Sequence, residues 1–201
     1  MDRRGRAPDR GLEMTLRELD QDTWPALELL FGPNGAVAGC WCTWFFQTSK
    51  DLAENGSAGN RDLLHARMCA GPVGLLAMDG DEARGWIAVA PRASYPRLAR
   101  SPVTKPLDDL ADVWAVTCLF VHRAARRAGL AKYLLTGAVE HARRNGANAI
   151  EGYPVNTELG RASKIGSGEL YHGTVRLFVG AGFTVERGAG QRRAFVRLML
   201  R

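Results

Sequence analysis

Two periods of apolar residues, and the switches between them, divide this chain into its elements. Val113–Val121 is almost wholly apolar, β-branched or aromatic, a run too short to span a membrane and right for a strand buried on both faces. At His122 the character changes. Residues 122–129 bring Arg123, Arg126 and Arg127, and then Leu130, Leu134, Ala138 and Ala142 recur at intervals of four with Leu135 alongside, the stripe of one buried helical face. Before this unit the pattern predicts a strand over Met14–Leu19 and a helix within Asp20–Phe31, capped at Asp22 or Thr23 with Pro25 in its first turn. Glu54–Gly59 reads as a polar linker and Asn60 as the cap of a helix over Arg61–Ala70, stopped by Gly71-Pro72. Gly74–Met78 and Arg84–Ala90 form a hairpin around Asp79-Gly80-Asp81, because Asp-Gly tolerates the positive φ of a tight turn. Pro91–Pro106, with four prolines and four basic residues, reads as a solvated basic loop. After the central unit come a strand over Ala149–Val155, a polar loop over Asn156–Ser167, a helix over Glu169–Ala181 and a closing hairpin of Phe183–Arg187 with Arg193–Leu200. The order is β-α-α-β-β-β-α-β-α-β-β: an α/β chain with one mixed sheet and helices on its faces. The crossover from Val113–Val121 to Ala149–Val155 makes those two strands parallel neighbours.

Length and charge narrow this. At 201 residues and 46% hydrophobic, the chain holds one ordinary core, so residues 12–201 are expected as a single domain. Arg3, Arg4, Arg6 and Arg10 have no apolar periodicity around them, and residues 1–11 are expected as a disordered basic arm. The formal charge of +6 favours an anionic partner: nucleic acid, a phosphorylated cofactor or a membrane surface. No leader pattern and no apolar run of spanning length is present, which points to the cytoplasm and away from a membrane. Cys40, Cys42, Cys69 and Cys118 are then expected as reduced thiols, and their spacing lacks the paired ligands of a zinc site, so no metal is expected.

The turn before the central helix carries the candidate chemistry. A helix start leaves backbone N–H groups without partners and places partial positive charge there. Gly129 offers no side chain to obstruct an anion, Ala131 keeps the next approach small, and Arg126, Arg127 and Lys132 add charge. The chain has neither GxxxxGK[ST] nor GxGxxG after a strand, so a P-loop hydrolase and a Rossmann site fall away. Elsewhere Trp41 and Trp44, in an aromatic segment Gly39–Gln47, are candidates for a substrate-pocket wall or for core capping.

Leu119-Phe120-Val121 followed by Arg126-Arg127-Ala128-Gly129-Leu130-Ala131 resembles the acetyl-CoA-binding motif of the GNAT superfamily of N-acetyltransferases, Gln/Arg-x-x-Gly-x-Gly/Ala. AIEGYPVN and LFVGAGF resemble that superfamily's next strand and last helix, so the likeness runs from about Leu12 to Leu200. GCWCTWFF, GWIAVAPR and EGYPVN together look like one bacterial subgroup. The resemblance implies a mixed sheet with splayed parallel strands and about four helices. It implies acetyl-CoA as acyl donor, with residues 126–131 on its pyrophosphate, Leu119, Phe120 and Val121 along the pantetheine arm, and Asn156 also on the cofactor side. The reaction implied is direct attack of a primary amine, on a small molecule or protein, within a ternary complex.

Glu151, a carboxylate in an apolar strand, is a candidate base, with a solvent-facing or arginine-paired carboxylate as the alternative. Many family members have a tyrosine where this chain has Phe178, which cannot donate a proton; Tyr171 or His172 then takes the role, or the thiolate leaves without one. Two other readings stay open: a non-catalytic acyl-CoA-binding module, and, with less support, nucleic-acid binding through the arm and the Pro91–Pro106 loop. The acceptor and any homodimer are not legible.

Overall fold

The computed structural model describes residues 14–159 and 167–200. The expected basic arm therefore lies outside the described residues, as does part of the loop after Asn156. Seven strands make one sheet: β1 (Met14–Glu18), β2 (Gly74–Asp79), β3 (Glu82–Pro91), β4 (Val113–Val121), β5 (Ala149–Gly152), β6 (Thr184–Arg187) and β7 (Phe195–Met199), in the order β1-β2-β3-β4-β5-β7-β6. Only β4 and β5 run parallel, joined by the expected crossover, and every other neighbouring pair is antiparallel. The hairpin between β2 and β3 closes on Gly80 and Asp81, with Gly80 at φ 59° as the Asp-Gly signal demands.

Four helices cover both faces: α1 (Trp24–Phe31), α2 (Ser49–Ala70), α3 (Leu130–Arg144) and α4 (Val175–Val179). Leu134, Leu135, Ala138 and Ala142 of α3 are fully buried, so the four-residue spacing lays this helix on one sheet face, against Ile87, Val89 and Val116. The opposite face carries Trp86, Phe120 and Tyr153 against α1, α2 and the aromatic segment before α2.

Three expectations need correction. Glu54–Gly59 is helical rather than a linker, apart from one break at Gly56 (φ 58°); Thr48 and Asp51 form a reciprocal capping box that starts α2 twelve residues before the expected Arg61. Asn60 is accordingly not a cap. It is 2% exposed within α2, and its amide donates to Gly39 O and Leu52 O, tying the aromatic segment to the helix. The expected helix Glu169–Ala181 divides into a 3-10 helix over Ser167–His172 and the short α4, because Gly173 takes φ 73° and residues 173–175 are used as strand partners.

Gly74 shows how closely β2 and β3 are fitted: a Cβ there would stand 2.2 Å from Ile87 O and 2.4 Å from the Trp86 ring. Backbone in a central sheet cannot retreat from such a contact. Gly74→Ala should destabilise the fold by about 1–3 kcal/mol, read as a lowered denaturant midpoint at unchanged m-value.

Candidate active site

The site begins where strand pairing stops. β4 and β5 pair from Val113↔Ala149 to Val116↔Gly152 and no further, although β4 continues to Val121. Beyond Gly152 the chain turns to other partners: Val155 N–H donates to Gly173 O, and Val175 N–H donates to Val155 O. Residues 173–175 thus occupy the place beside Val155 that β4 would otherwise fill, and the two parallel strands diverge around them. On the β4 side, His172 Nδ1 bonds Thr117 O at 2.9 Å.

Thr117 is also where β4 loses step with β3. Ala88 pairs with Cys118 but Val89 with Val116, so Thr117 is the extra residue of a bulge. Past the bulge, His122 N–H donates to Arg84 O on the β3 side. Since alternate residues direct their N–H and C=O to the same neighbour, Leu119 and Val121 direct theirs into the gap left by β5. Arg126 Nε meets Val121 O at 3.2 Å; the Leu119 and Val121 N–H groups have no strand partner among the described residues.

At the outer end of this edge lies the basic turn. The backbone N–H groups of residues 126–131 meet no acceptor among the described residues. Gly129 takes φ 79° as N-cap of α3, and a Cβ there would meet nothing within 4 Å. Arg126, Arg127, Ala128 and Gly129 are exposed, Leu130 is anchored in the core, and the first turn of α3 has no acidic residue. Oriented free donors, helix dipole and exposed guanidinium groups together fit a pyrophosphate.

At the inner end two cavities meet. One, about 280 Å³, is bounded by Thr117, Cys118, Cys42, Trp44, Tyr171 and His172. The other, about 560 Å³, lies beyond Trp44, Phe45 and His172 and is rimmed by Arg97 and Arg193. Tyr171 stacks on Phe120 with centroids 5.7 Å apart and planes 6° from parallel, which sets it beside the open edge of β4. His172 packs edge-on to Phe45. Desolvation, aided by the charge of Arg193, pushes the His172 pKa down to about 4. Its Nδ1 must carry the proton, because Thr117 O can only accept, so the neutral ring presents an Nε2 lone pair.

The remaining sequence candidates lie elsewhere. Trp44 is 40% exposed and walls both cavities, whereas Trp41 is 5% exposed in the core, with Nε1 donating to Ser57 Oγ. Asn156 lies beside the groove between the end of β5 and α4, its Oδ1 accepting from Glu158 N–H. Phe178 is fully buried against Gly152 and Phe183 and reaches neither cavity.

Glu151 follows its arginine-paired alternative. It is fully buried, its Oε1 accepts from Arg92 Nη1 at 3.0 Å and Arg197 Nη2 at 2.7 Å, and its Oε2 accepts from Tyr153 Oη at 3.3 Å. Burial and the Glu151 charge push the Tyr153 hydroxyl well up, so it stays a donor. Arg92, expected in a solvated loop, also donates to Leu110 O and binds the segment after β3 to β5. Sequence reasoning also missed Cys42 and Cys118, whose sulfurs approach to 2.9 Å across the smaller cavity. Their 76-residue separation carries no motif, and the bulge next to Cys118 has no signal beyond a polar Thr117 in an apolar run.

A gap between parallel strands thus joins a basic helix start with unbonded amides to a cavity, leaving an open channel along the sheet. The chain belongs to the acetyltransferase (GNAT) family, whose model matches residues 41–158. Solved structures with the same fold include yncA of Salmonella typhimurium in complex with acetyl-CoA (19% identity over 94% of this chain and 94% of that one, TM-score 0.52). YhbS of Escherichia coli in complex with CoA (18%, 98% and 86%, 0.52) and the ribosomal-protein-alanine N-acetyltransferase of Brucella melitensis (17%, 92% and 99%, 0.52) share it too. Comparison with curated proteins gives no sequence match. Among the described residues no helix is long and apolar enough to cross a membrane, and no group of three or more His, Cys, Asp or Glu side chains is placed to hold a metal ion.

Two outcomes follow from this geometry. Glu151→Ala leaves Arg92 and Arg197 buried around an empty site and should cost about 3–5 kcal/mol in chemical denaturation. Because folding lowers the His172 pKa from 6.5 to about 4, the unfolded chain binds the extra proton between those values. This contribution to stability is complete above about pH 6.5 and is lost as pH falls toward 4. Denaturation midpoints measured across that window should fall less steeply for His172→Gln than for wild type.

Proposed function

We propose that this chain moves an acetyl group from acetyl-CoA to a primary amine by direct attack within a ternary complex. The observation that carries the reading is the unpaired edge of β4, running from the free amides of residues 126–131 to the cavity at Thr117. Bound acetyl-CoA would supply the thioester. The amides of residues 126–131, with Arg126 and Arg127, would hold its pyrophosphate. Leu119 and Val121 would take the pantetheine arm as an added strand, with Phe120 packed behind it; Asn156 borders a separate groove past the end of β5 and has no part in this reading. Leu119 N–H, the free donor nearest the bulge, would face the oxygen on which charge develops when the amine attacks.

Proton handling falls to the 3-10 helix in this reading. His172, held as the Nδ1–H tautomer by Thr117 O, offers Nε2 to the amine. Desolvation leaves the ring neutral, the state in which Nε2 can accept the proton that the attacking nitrogen gives up. Tyr171, on the thioester side of the smaller cavity, offers its hydroxyl to the departing sulfur. Glu151 serves as a structural clamp and Trp44 as the wall between the cavities. A cytoplasmic location belongs to the same reading.

Thiol release from acetyl-CoA across a broad amine panel tests the activity; tight acetyl-CoA binding with no release for any amine would leave only a binding module. Gly129→Asp sets a carboxylate where the pyrophosphate would lie, in an open position whose positive φ Asp tolerates. Calorimetry should show acetyl-CoA binding abolished with the melting temperature nearly unchanged, and wild-type affinity would overturn the cofactor assignment.

A further inference from the structure

The larger cavity carries a charge imbalance that acetyl transfer alone does not use. Among the described residues, Arg97, Arg192 and Arg193 line it against a single carboxylate, Glu169. Arg192 and Glu169 bond each other, which leaves two guanidinium groups in excess. Arg97 lies over Trp44 with its Cζ 3.7 Å from the ring centroid, donates to Gln47 O and Ser49 Oγ, and meets no carboxylate among the described residues. Arg193 is held from behind: its Nη1 donates to Tyr153 O at 3.0 Å, and it likewise meets no carboxylate among the described residues.

A half-buried, immobilised guanidinium with donors to spare is costly unless something anionic completes it. Desolvation lowers the Arg193 pKa, and the attraction of Glu169 only partly offsets it. Arg192 and Arg193 follow the Gly188-Ala189-Gly190 turn and lead into β7, whose Arg197 is committed to Asp108 and Glu151. Neither of those carboxylates serves Arg193.

The location indicates the ligand. Arg193 shares the larger cavity with His172, which like Trp44 and Phe45 faces both cavities, while the unpaired edge of β4 opens on the smaller one. A molecule with its amine at His172, pointed toward Thr117, extends its other end into the space before Arg193. About 560 Å³ suits a compact small molecule. We propose that the acceptor is a small-molecule amine carrying a carboxylate, of the amino-acid class, whose carboxylate is received by Arg193 with Arg97 beside it. The site rests on the acetyl-transfer reading for its amine end, whereas the anion-binding end stands on the two arginines themselves. A fork of paired donors matches a carboxylate in both charge and geometry.

The test uses matched sets of an amino acid, its C-terminal amide and its decarboxylated amine. In a thiol-release assay the acid should have a KM about 10- to 100-fold below that of its amide, the range expected for hydrogen bonds to a charged group. Arg193→Gln should bring the two KM values together, and Arg193→Lys should restore part of the difference. Equal kcat/KM for acid and amide in wild type, or an equal loss for both in Arg193→Gln, overturns the proposal, as does a preference for peptide N-termini over free amino acids. A second measurement needs no turnover: N-acetyl amino acids and their amides are titrated calorimetrically into CoA-saturated wild type and Arg193→Gln. If no amine releases thiol but the acids still bind in preference and the preference disappears with Arg193, acetyl transfer falls and the carboxylate site stands. If binding shows no preference, the site falls. A wild-type melting temperature for Arg193→Gln establishes that the variant is folded.

Discussion

A strand in the middle of a sheet must satisfy hydrogen-bonding groups on both edges, and β4 does so for only four residues on its β5 side. Everything distinctive about this molecule is arranged around the edge that remains. The gap is not a defect of packing, because β5 does not fray beyond Gly152: it acquires Gly173 and Val175 as partners while keeping its neighbours on the β7 side. The divergence is therefore built by insertion. His172, immediately before the inserted residues, bonds β4 at the bulge, so one short segment both forces the strands apart and carries the imidazole that faces the cavities.

Such an opening has to be held against closure, which the Glu151 cluster does at its base. Glu151 stands opposite Ala115, one step before pairing ends, and draws Arg92 from beyond β3 and Arg197 from β7 onto one oxygen. Three parts of the sheet are thereby tied directly below the split. A buried carboxylate between two guanidiniums gives little net stability over an apolar replacement, but it penalises any rearrangement that separates the partners. Phe178 acts from the other face. Its ring lies where a Cβ on Gly152 would be, 2.3 Å away, so α4 packs onto the last paired residue of β5. A ring fully buried there fills space rather than moving protons, and the side chains that reach the cavities on this side, Tyr171 and His172, belong to the preceding 3-10 helix.

What the sequence made legible was what local pattern determines. The apolar period of β4, the four-residue stripe of α3 and the Asp-Gly hairpin each depend on neighbours within one turn or one strand, and each is found where the pattern puts it. The basic turn at the start of α3 was legible for the same reason: Gly129 and the arginines before it are contiguous, and Gly129 takes a positive φ as N-cap. The cavities were not. Thr117 and His172 are 55 residues apart, Cys42 and Cys118 are 76, and Arg92 reaches Glu151 across 59. Pairings at such distances leave no spacing to read. The division of the expected helix at Gly173 belongs with them, because helical periodicity cannot show that residues 173–175 are needed as strand partners.

The same distinction separates the two ends of the candidate site in kind. The cofactor end is made of backbone: free amides, an open strand edge and a glycine, groups every sequence possesses and whose arrangement the fold dictates. The larger cavity, the acceptor end in the proposed reading, is lined by side chains from separate segments, among them Trp44, Arg97, His172 and Arg193, and none of these is required by the fold in the way that Gly74 or Leu134 is. A backbone site fixes what must be common to any chain folded this way, while a side-chain site is free to differ at each position. If the acceptor is received there, its recognition follows from the charges these segments project into the larger cavity, and among the described residues the unbalanced charge is positive.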